Sequence, residues 1–390
     1  MNDAWTTARR VAAGLSPHEA LGSTASAQSW AAFDHAVRDL PPYELGSRPG
    51  WARSASTTAV ALCHPDGRVR EAALDHVSRY PALLPLLIVR CADWAAPVRD
   101  RARTLLARTP TAGLLAQAPL ILLLDRRRQG EFAVDLLDRV LREGPAGPVH
   151  TLLASEDRAT RRLAHRIAVD RTLLPPARLA RIAARSGDAT LQDLCANAAI
   201  ASMREEEYGQ VLDVLLTARA PRVRAAGVTA LRRTGRYDGA RAHLADRSSV
   251  VRACARYVVR QGGDDPLPLY RALCGGEITE PGAAAGLGEC GDRSDAGTLW
   301  PLVRHPVPAV RVQAVTGLRA LDAVTRDGLA PLLDDPSPPV VRAATRALLP
   351  HAAGFPREWL DARHAPDRPR ATRVAAQRLL RAAGYAAFPR

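Results

Sequence analysis

The chain contains no lysine: all 54 of its basic residues are arginine, and they leave a formal charge of +14. An excess of this size ordinarily points to nucleic acid or another anionic surface. An alanine-rich, arginine-only composition reads equally as the imprint of a GC-rich coding sequence, which weakens that inference. Aromatic residues make up only 4 %, so there is little material for stacking bases in a single-strand groove. The six cysteines, at 63, 91, 195, 254, 274 and 290, include no CxxC pair. No zinc site is expected without ligands clustered at short spacing. Scattered thiols on a large core read as small buried hydrophobes in a reducing compartment. Long apolar runs are missing too. The longest, residues 82–89, falls far short of the roughly 20 residues of a membrane span, and Met1 to Leu15 lacks the apolar stretch of a secretory leader. These absences predict a soluble, cytoplasmic protein with no metal or cofactor; a monomer is expected.

Signatures of catalysis are also lacking. There is no HExxH, no glycine loop placed to cradle a phosphate ahead of a helix, and no GxSxG. The ten histidines are scattered. His64 and His305 each precede a proline and read as residues at helix ends, while His165 is placed on an exposed helix edge.

What is present is self-similarity at a fixed period, the mark of a repeat architecture. A turn followed by a Val-Arg pair and small residues recurs as HPDGRVREAA at Arg70 and ADWAAPVRDRA at Arg99. It returns as RAPRVRAAG at Arg224, DRSSVVRACA at Arg252, HPVPAVRVQA at Arg311 and DPSPPVVRAA at Arg342. Weaker copies stand at Arg161 and Arg373, and Gln192 occupies the arginine position of another. Successive positions are separated by 29, 62, 31, 32, 28, 59, 31 and 31 residues. The two long gaps are double the period, so degenerate copies are expected near Gln129 and Pro281, giving about eleven repeats between Ser56 and Arg390.

Each unit has a simple physical reading. An apolar helix such as Pro85 to Arg90 or Trp300 to Arg304 begins at or near a proline, where a missing N–H is harmless. Asp-Pro, His-Pro or Asp-Arg then marks the break, and an Asp or Ser in the turn caps the next helix. In that second helix apolar residues recur at helical offsets from the valine. In the first copy they are Val69, Ala72, Ala73 and Val77, with His76 the polar exception. Two such helices cannot hide their apolar faces alone, so neighbouring units must stack.

The D/P-x-x-V-R-x-x-A core at a thirty-residue spacing resembles the HEAT-repeat superfamily, over roughly 330 of the 390 residues. The resemblance implies an all-α, right-handed α-solenoid that serves as a scaffold or adaptor for a protein partner. It also implies a structural ladder between turn aspartates and the helix arginines Arg70, Arg99, Arg224, Arg252, Arg311 and Arg342. Residues 1–55 do not follow the period. Ser16 and Glu19 form a capping-box signature, Trp30 to Leu40 reads as a helix and Leu40 to Gly50 as a loop, so this segment is taken as an N-terminal cap on an array spanning 56–390. The glycine-rich stretch 274–292, with Gly275, Gly276 and Gly282, is the expected kink.

Second helices of HEAT units usually line the concave face, so their polar positions are the expected ligand contacts: Arg103, Arg166, Arg232, Arg256, Tyr257, Arg260, Arg319, Arg346, Arg378 and Arg381. Such a lane suits an acidic protein segment, through bidentate carboxylate contacts, or the phosphates of a nucleic acid. Scarce aromatics favour the protein ligand. A small group of alkylpurine DNA glycosylases is built of HEAT-like repeats and places a tryptophan one helical turn before an aspartate. Trp30 and Asp34 have that spacing, and by this resemblance Asp34 would be catalytic, with Trp30 packing on the base. Their place in the N-terminal cap departs from that pattern and favours Trp30 as a core anchor. Asp93 and Trp94 form another pair, expected to cap a helix and to pack on the next turn.

Overall fold

The structure, a computed structural model, describes residues 2–22, 25–45, 53–276 and 279–385. The residues described are helical or in turns, with no strand among them, and they form two compact units, 1–174 and 175–390. Each unit is a stack of helical hairpins, so the fold is the all-α solenoid that the period predicts. Four hairpins in the N-terminal unit pair Ala55–Cys63 with Gly67–Leu74, Leu84–Arg90 with Ala96–Leu106, Ala118–Leu124 with Glu131–Glu143, and Ala146–Leu152 with Arg158–Asp170. Seven in the C-terminal unit run from Pro176–Arg185 with Ala189–Ser202 through to Arg357–His364 with Arg370–Ala382. The two degenerate copies are real, since second helices start at Glu131 and at Pro281.

The motif valines explain the stacking. Val69, Val98, Val223, Val251, Val310 and Val341 are at most 2 % exposed, and each such burial contributes about 1.5–3 kcal/mol. Second helices pack on one another in succession, as Pro221–Arg233 does on Ser249–Gln261 and Pro281–Cys290 on Pro308–Ala320. Several first helices are short, or tighten to 3-10 form at Tyr237–His243, Pro301–Arg304 and Ala330–Asp334, prolines standing at the start of the last two. The first hairpin departs from its expected pattern: its second helix ends at Leu74, Ala72 is exposed, and Val77 is buried from a separate 3-10 turn.

Before the first hairpin come the helices Asn2–Ala12, Pro17–Leu21 and Ala27–Arg38. The capping box forms as expected: Glu19 N–H donates to Ser16 Oγ at 3.3 Å and Ser16 N–H to Glu19 Oε2 at 3.2 Å. Part of the predicted loop, residues 46–50, lies outside the described residues, as do 277 and 278 within the expected kink. Two glycines later in that stretch have a packing role. A Cβ at Gly286 would stand 2.0 Å from Tyr270 Cε1, and one at Gly288 would stand 2.4 Å from the Cα of Gly317. They let Tyr270 lie fully buried, its hydroxyl donating to the Leu244 carbonyl at 2.8 Å, and let two second helices meet backbone to backbone.

Candidate functional site

The motif arginine folds back along its own helix to the turn that precedes it. Arg70 Nη1 donates to the His64 and Pro65 carbonyls, both at 2.8 Å. Arg224 reaches Ala218 and Arg219 at 2.8 Å each, and Arg311 reaches His305 and Pro306 at 2.8 and 3.1 Å. Arg161 and Arg99 make the same reach, and Gln192 reproduces it with one amide bond, 2.6 Å to the Ser186 carbonyl. These carbonyls end the first helix of the hairpin, where acceptors lack intrahelical partners, so these side chains close their own hairpins from within.

Its other edge grips the next turn. Arg70 pairs with Asp93, Arg224 with Asp246 and Arg311 with Asp335, each through two bonds of 2.8–2.9 Å. Arg252 pairs instead with Glu289. Burial raises the carboxyls of Asp93 and Asp246, but the hydrogen bonds and charge of their arginines outweigh it and hold both below the usual carboxylate range. The ladder implied by the resemblance is therefore built at Arg70, Arg224 and Arg311; Arg252 meets Glu289 on a second helix instead of a turn aspartate, and Arg99 donates to the Asp93 and Trp94 carbonyls. Arg342 is exposed.

Asp34 continues this network. It is 1 % exposed and pairs with Arg90, equally buried, whose Nη1 donates to Asp93 Oδ2 at 3.0 Å. Arg70, Asp93, Arg90 and Asp34 thus form one buried chain of alternating charge running from the first hairpin to the helix Ala27–Arg38. Trp30 is 6 % exposed with its ring edge-on to Phe33 at 6.3 Å. It is a core residue, and its ring offers no face to a base. Trp94 departs from expectation: Asp93 does cap, accepting from Ala95 N–H at 3.0 Å, but Trp94 is 72 % exposed, with the Arg70 guanidinium 5.4 Å from its ring centroid. His165 also corrects the sequence reading, being buried with Nδ1 2.8 Å from the Arg161 carbonyl.

Of the expected ligand contacts, Arg166, Arg232, Tyr257, Arg260, Arg319, Arg346, Arg378 and Arg381 are exposed on second helices. Arg232 lies 5.8 Å from the Tyr257 ring centroid, a cation–π pair that bridges consecutive second helices. Two of the expected contacts are held inside the scaffold instead. Arg103 donates to the Cys91 and Gln129 carbonyls at 3.1 and 3.0 Å, and Arg256 is paired with Glu289 at 2.7 Å.

Sequence reasoning missed a second basic cluster. Arg38, Arg90, Arg99 and Arg127 meet around a cleft of about 540 Å³ in the N-terminal unit, beside Asp34 and Trp94. Arg127 sits in the turn before Glu131–Glu143, a degenerate repeat whose missing motif hid it. Among the described residues no group of His, Cys, Asp and Glu is arranged to hold a metal ion, and no helix is long and apolar enough to cross a membrane.

No family model matches the chain, and no curated protein does. Solved structures do. The karyopherin Kap121p is 13 % identical over 92 % of this chain and 48 % of its own, with a TM-score of 0.38. The same karyopherin bound to the extreme C-terminus of the phosphatase Cdc14p gives 14 % identity, the same coverage and a TM-score of 0.39. The E. coli protein YibA is 17 % identical over 63 % of this chain and 96 % of its own, with a TM-score of 0.28. The chain spans about half the length of Kap121p. The fold assignment rests on the hairpins and their arginine ladder, not on these likenesses.

Proposed function

We propose that the protein is a non-catalytic scaffold that receives an acidic protein segment along the exposed arginines of its second helices. The observation that carries this reading is their recurrence in the C-terminal unit, where Arg232, Arg319, Arg346 and Arg378 each stand exposed on a different second helix. A guanidinium presents a planar fork of donors that matches a carboxylate in two parallel bonds. These four arginines stand at two positions about one helical turn apart on their helices, and would match carboxylates spaced along an extended chain. The Arg232–Tyr257 pair adds an amphipathic anchor of the kind enriched where proteins meet. Kap121p has been crystallised bound to the extreme C-terminus of Cdc14p; for the present chain a protein partner is our reading of the arginines. Free thiols at all six cysteines fit a reducing, cytoplasmic setting.

The second reading, a phosphate-tracking nucleic-acid binder, rests on the same arginines but has only Tyr257 as an exposed ring among the lane residues, where base stacking calls for several. Fluorescence anisotropy separates the two. A labelled poly-glutamate peptide should bind the wild type, and the charge reversal Arg232→Glu with Arg346→Glu should abolish binding while leaving the circular dichroism unchanged. An oligonucleotide that binds more tightly than the peptide, with affinity falling steeply between 50 and 200 mM salt, a span that costs a tracker of several phosphates about 10³-fold or more, would overturn the protein-ligand reading.

A further inference from the structure

The cleft in the N-terminal unit holds more guanidinium donors than its own carboxylates can satisfy. Arg38 Nη2 is 3.5 Å and Arg127 Nη1 3.8 Å from Asp34, so neither makes a close pair with it. Asp34 and Asp93 are bound by the buried Arg90 and Arg70. The Nε atoms of Arg38, Arg90 and Arg99 are buried without a hydrogen-bond partner, and Arg90 is 1 % exposed. A buried donor left unpaired costs about 1–3 kcal/mol, more when charged. Burial, with the like charges of Arg90 and Arg38, holds the Arg127 guanidinium below its usual value despite the pull of Asp34. The cluster is short of negative charge.

It is also well fixed. The turn bearing Arg127 is pinned where Arg103 Nη2 donates to the Gln129 carbonyl, and Gln129 itself is held at φ 71°. Arg90 is anchored to Asp93 and Asp34. Asp34 Oδ2 is buried with no hydrogen-bond partner. The Cys63 thiol beside Asp34 is pushed far up by its burial and by that carboxylate, so it keeps its proton. This oxygen calls for a proton-bearing partner, whereas the arginines around it call for an anion.

We propose that this cleft is a binding site for phosphate, as the free ion or as the terminal group of a phosphate monoester. A carboxylate presents two oxygens, whereas guanidinium donors arrive here from the helix Ala27–Arg38, from Arg99, whose Nη1 already serves the Asp93 carbonyl, and from Arg127, whose Nη2 lies 3.3 Å from His35 Nε2. A phosphate presents three or four oxygens and matches them. On the free ion one of those oxygens carries the proton that Asp34 Oδ2 accepts; a monoester, whose second pKa is about 6, does so only as its monoanion. Sulfate has no such proton at neutral pH and sets a bare charge against the carboxylate. Trp94, exposed at the rim, is the natural optical reporter.

The test is calorimetric titration of the whole protein at constant ionic strength with inorganic phosphate, phenyl phosphate, dimethyl phosphate and sulfate, alongside Trp94 fluorescence with Trp94→Phe as its blank. Saturable one-to-one binding of inorganic phosphate or phenyl phosphate is expected, the tighter of the two naming the source, with sulfate weaker by about tenfold, as one lost hydrogen bond to a charged group implies. Arg127→Ala should weaken phosphate by about tenfold or more, while Arg126→Ala, in the same turn but outside the cleft, should leave it unchanged. Circular dichroism of both variants separates a lost site from a lost fold. Absence of saturable binding by phosphate and phenyl phosphate alike would overturn the site, as would equal losses in the two arginine variants. Sulfate binding as tightly as phosphate would overturn the part given to Asp34, and dimethyl phosphate binding as tightly would move the site to a nucleic-acid backbone. The acidic-peptide assay reads the other unit, so the two proposals fail separately.

Discussion

Arg70 and Asp93 meet through two parallel hydrogen bonds, Nε to Oδ2 at 2.9 Å and Nη2 to Oδ1 at 2.8 Å, with both side chains fully buried. Asp93 also accepts from Arg90, which it shares with Asp34, so a single carboxylate contacts two buried guanidinium groups. Removing one partner of such a pair strands a charge in low dielectric, at about 3–5 kcal/mol. Asp93→Ala should therefore destabilise the N-terminal unit by that amount in urea denaturation. Asp335→Ala, which leaves Arg311 about one-tenth exposed to water, should do less damage. Equal effects would mean that burial does not set the strength of this ladder.

Acid should loosen the ladder in a defined window. Asp93 and Asp246 have folded pKa values below the usual carboxylate value, so near pH 4 the unfolded chain binds more protons than the folded one. Their stabilisation is present in full above the unfolded value of about 3.9 and is lost as pH falls below it through the lower folded values. Denaturation midpoints should hold from neutral pH to about 5 and then drop. Asp246→Asn should start lower and fall less steeply, because one of the protonation sites is gone.

Close approach of helices at Gly286 and Gly288 predicts strong sensitivity to a single methyl group. Gly286→Ala drives a carbon into the Tyr270 ring and Gly288→Ala into the Gly317 backbone. Each should cost about 1–3 kcal/mol, as overpacking of a filled core does. Gly275→Ala, which meets nothing within 4 Å, should leave the thermal midpoint unchanged or slightly raised. Equal tolerance at all three positions would dispose of the packing role of these glycines.

Thiol chemistry should divide the cysteines into two classes. Cys63, Cys91, Cys195 and Cys274 are buried, while Cys254 and Cys290 are partly exposed. Burial pushes Cys91 and Cys274 up to about 12 and Cys195 up to about 11. With a disulfide reagent at pH 8, Cys254 should react in the fast phase and the buried four only as the protein unfolds. Fast labelling of Cys63 in the native state would contradict the packing around Asp34.

The period alone carried most of the fold. Valine and small residues at helical spacing after a proline or aspartate turn suffice to place second helices, even at Glu131 and Pro281, where the motif has decayed. The ladder was legible by resemblance because it joins residues at a constant sequence offset. What escaped was everything that depends on non-periodic contacts. Asp34 and Arg90 lie 56 positions apart, and no local pattern in either segment reveals the other. Helical phase placed His165 at an exposed edge, whereas its ring turns in to the Arg161 carbonyl. Arg103 and Arg256 have the phase of exposed residues too, but a long side chain reaches whichever partner lies nearest, and for these two it is a carbonyl pair and Glu289.

The chain of charges from Arg70 to Asp34 has a consequence for anyone trimming this molecule. A version starting at Arg53 would keep every hairpin yet delete the carboxylate opposite Arg90, leaving that cation with only a share of Asp93. The leading helices thus supply a counter-charge, and a shortened chain should regain its firmness when Arg90 is exchanged for a neutral side chain of similar bulk, such as methionine.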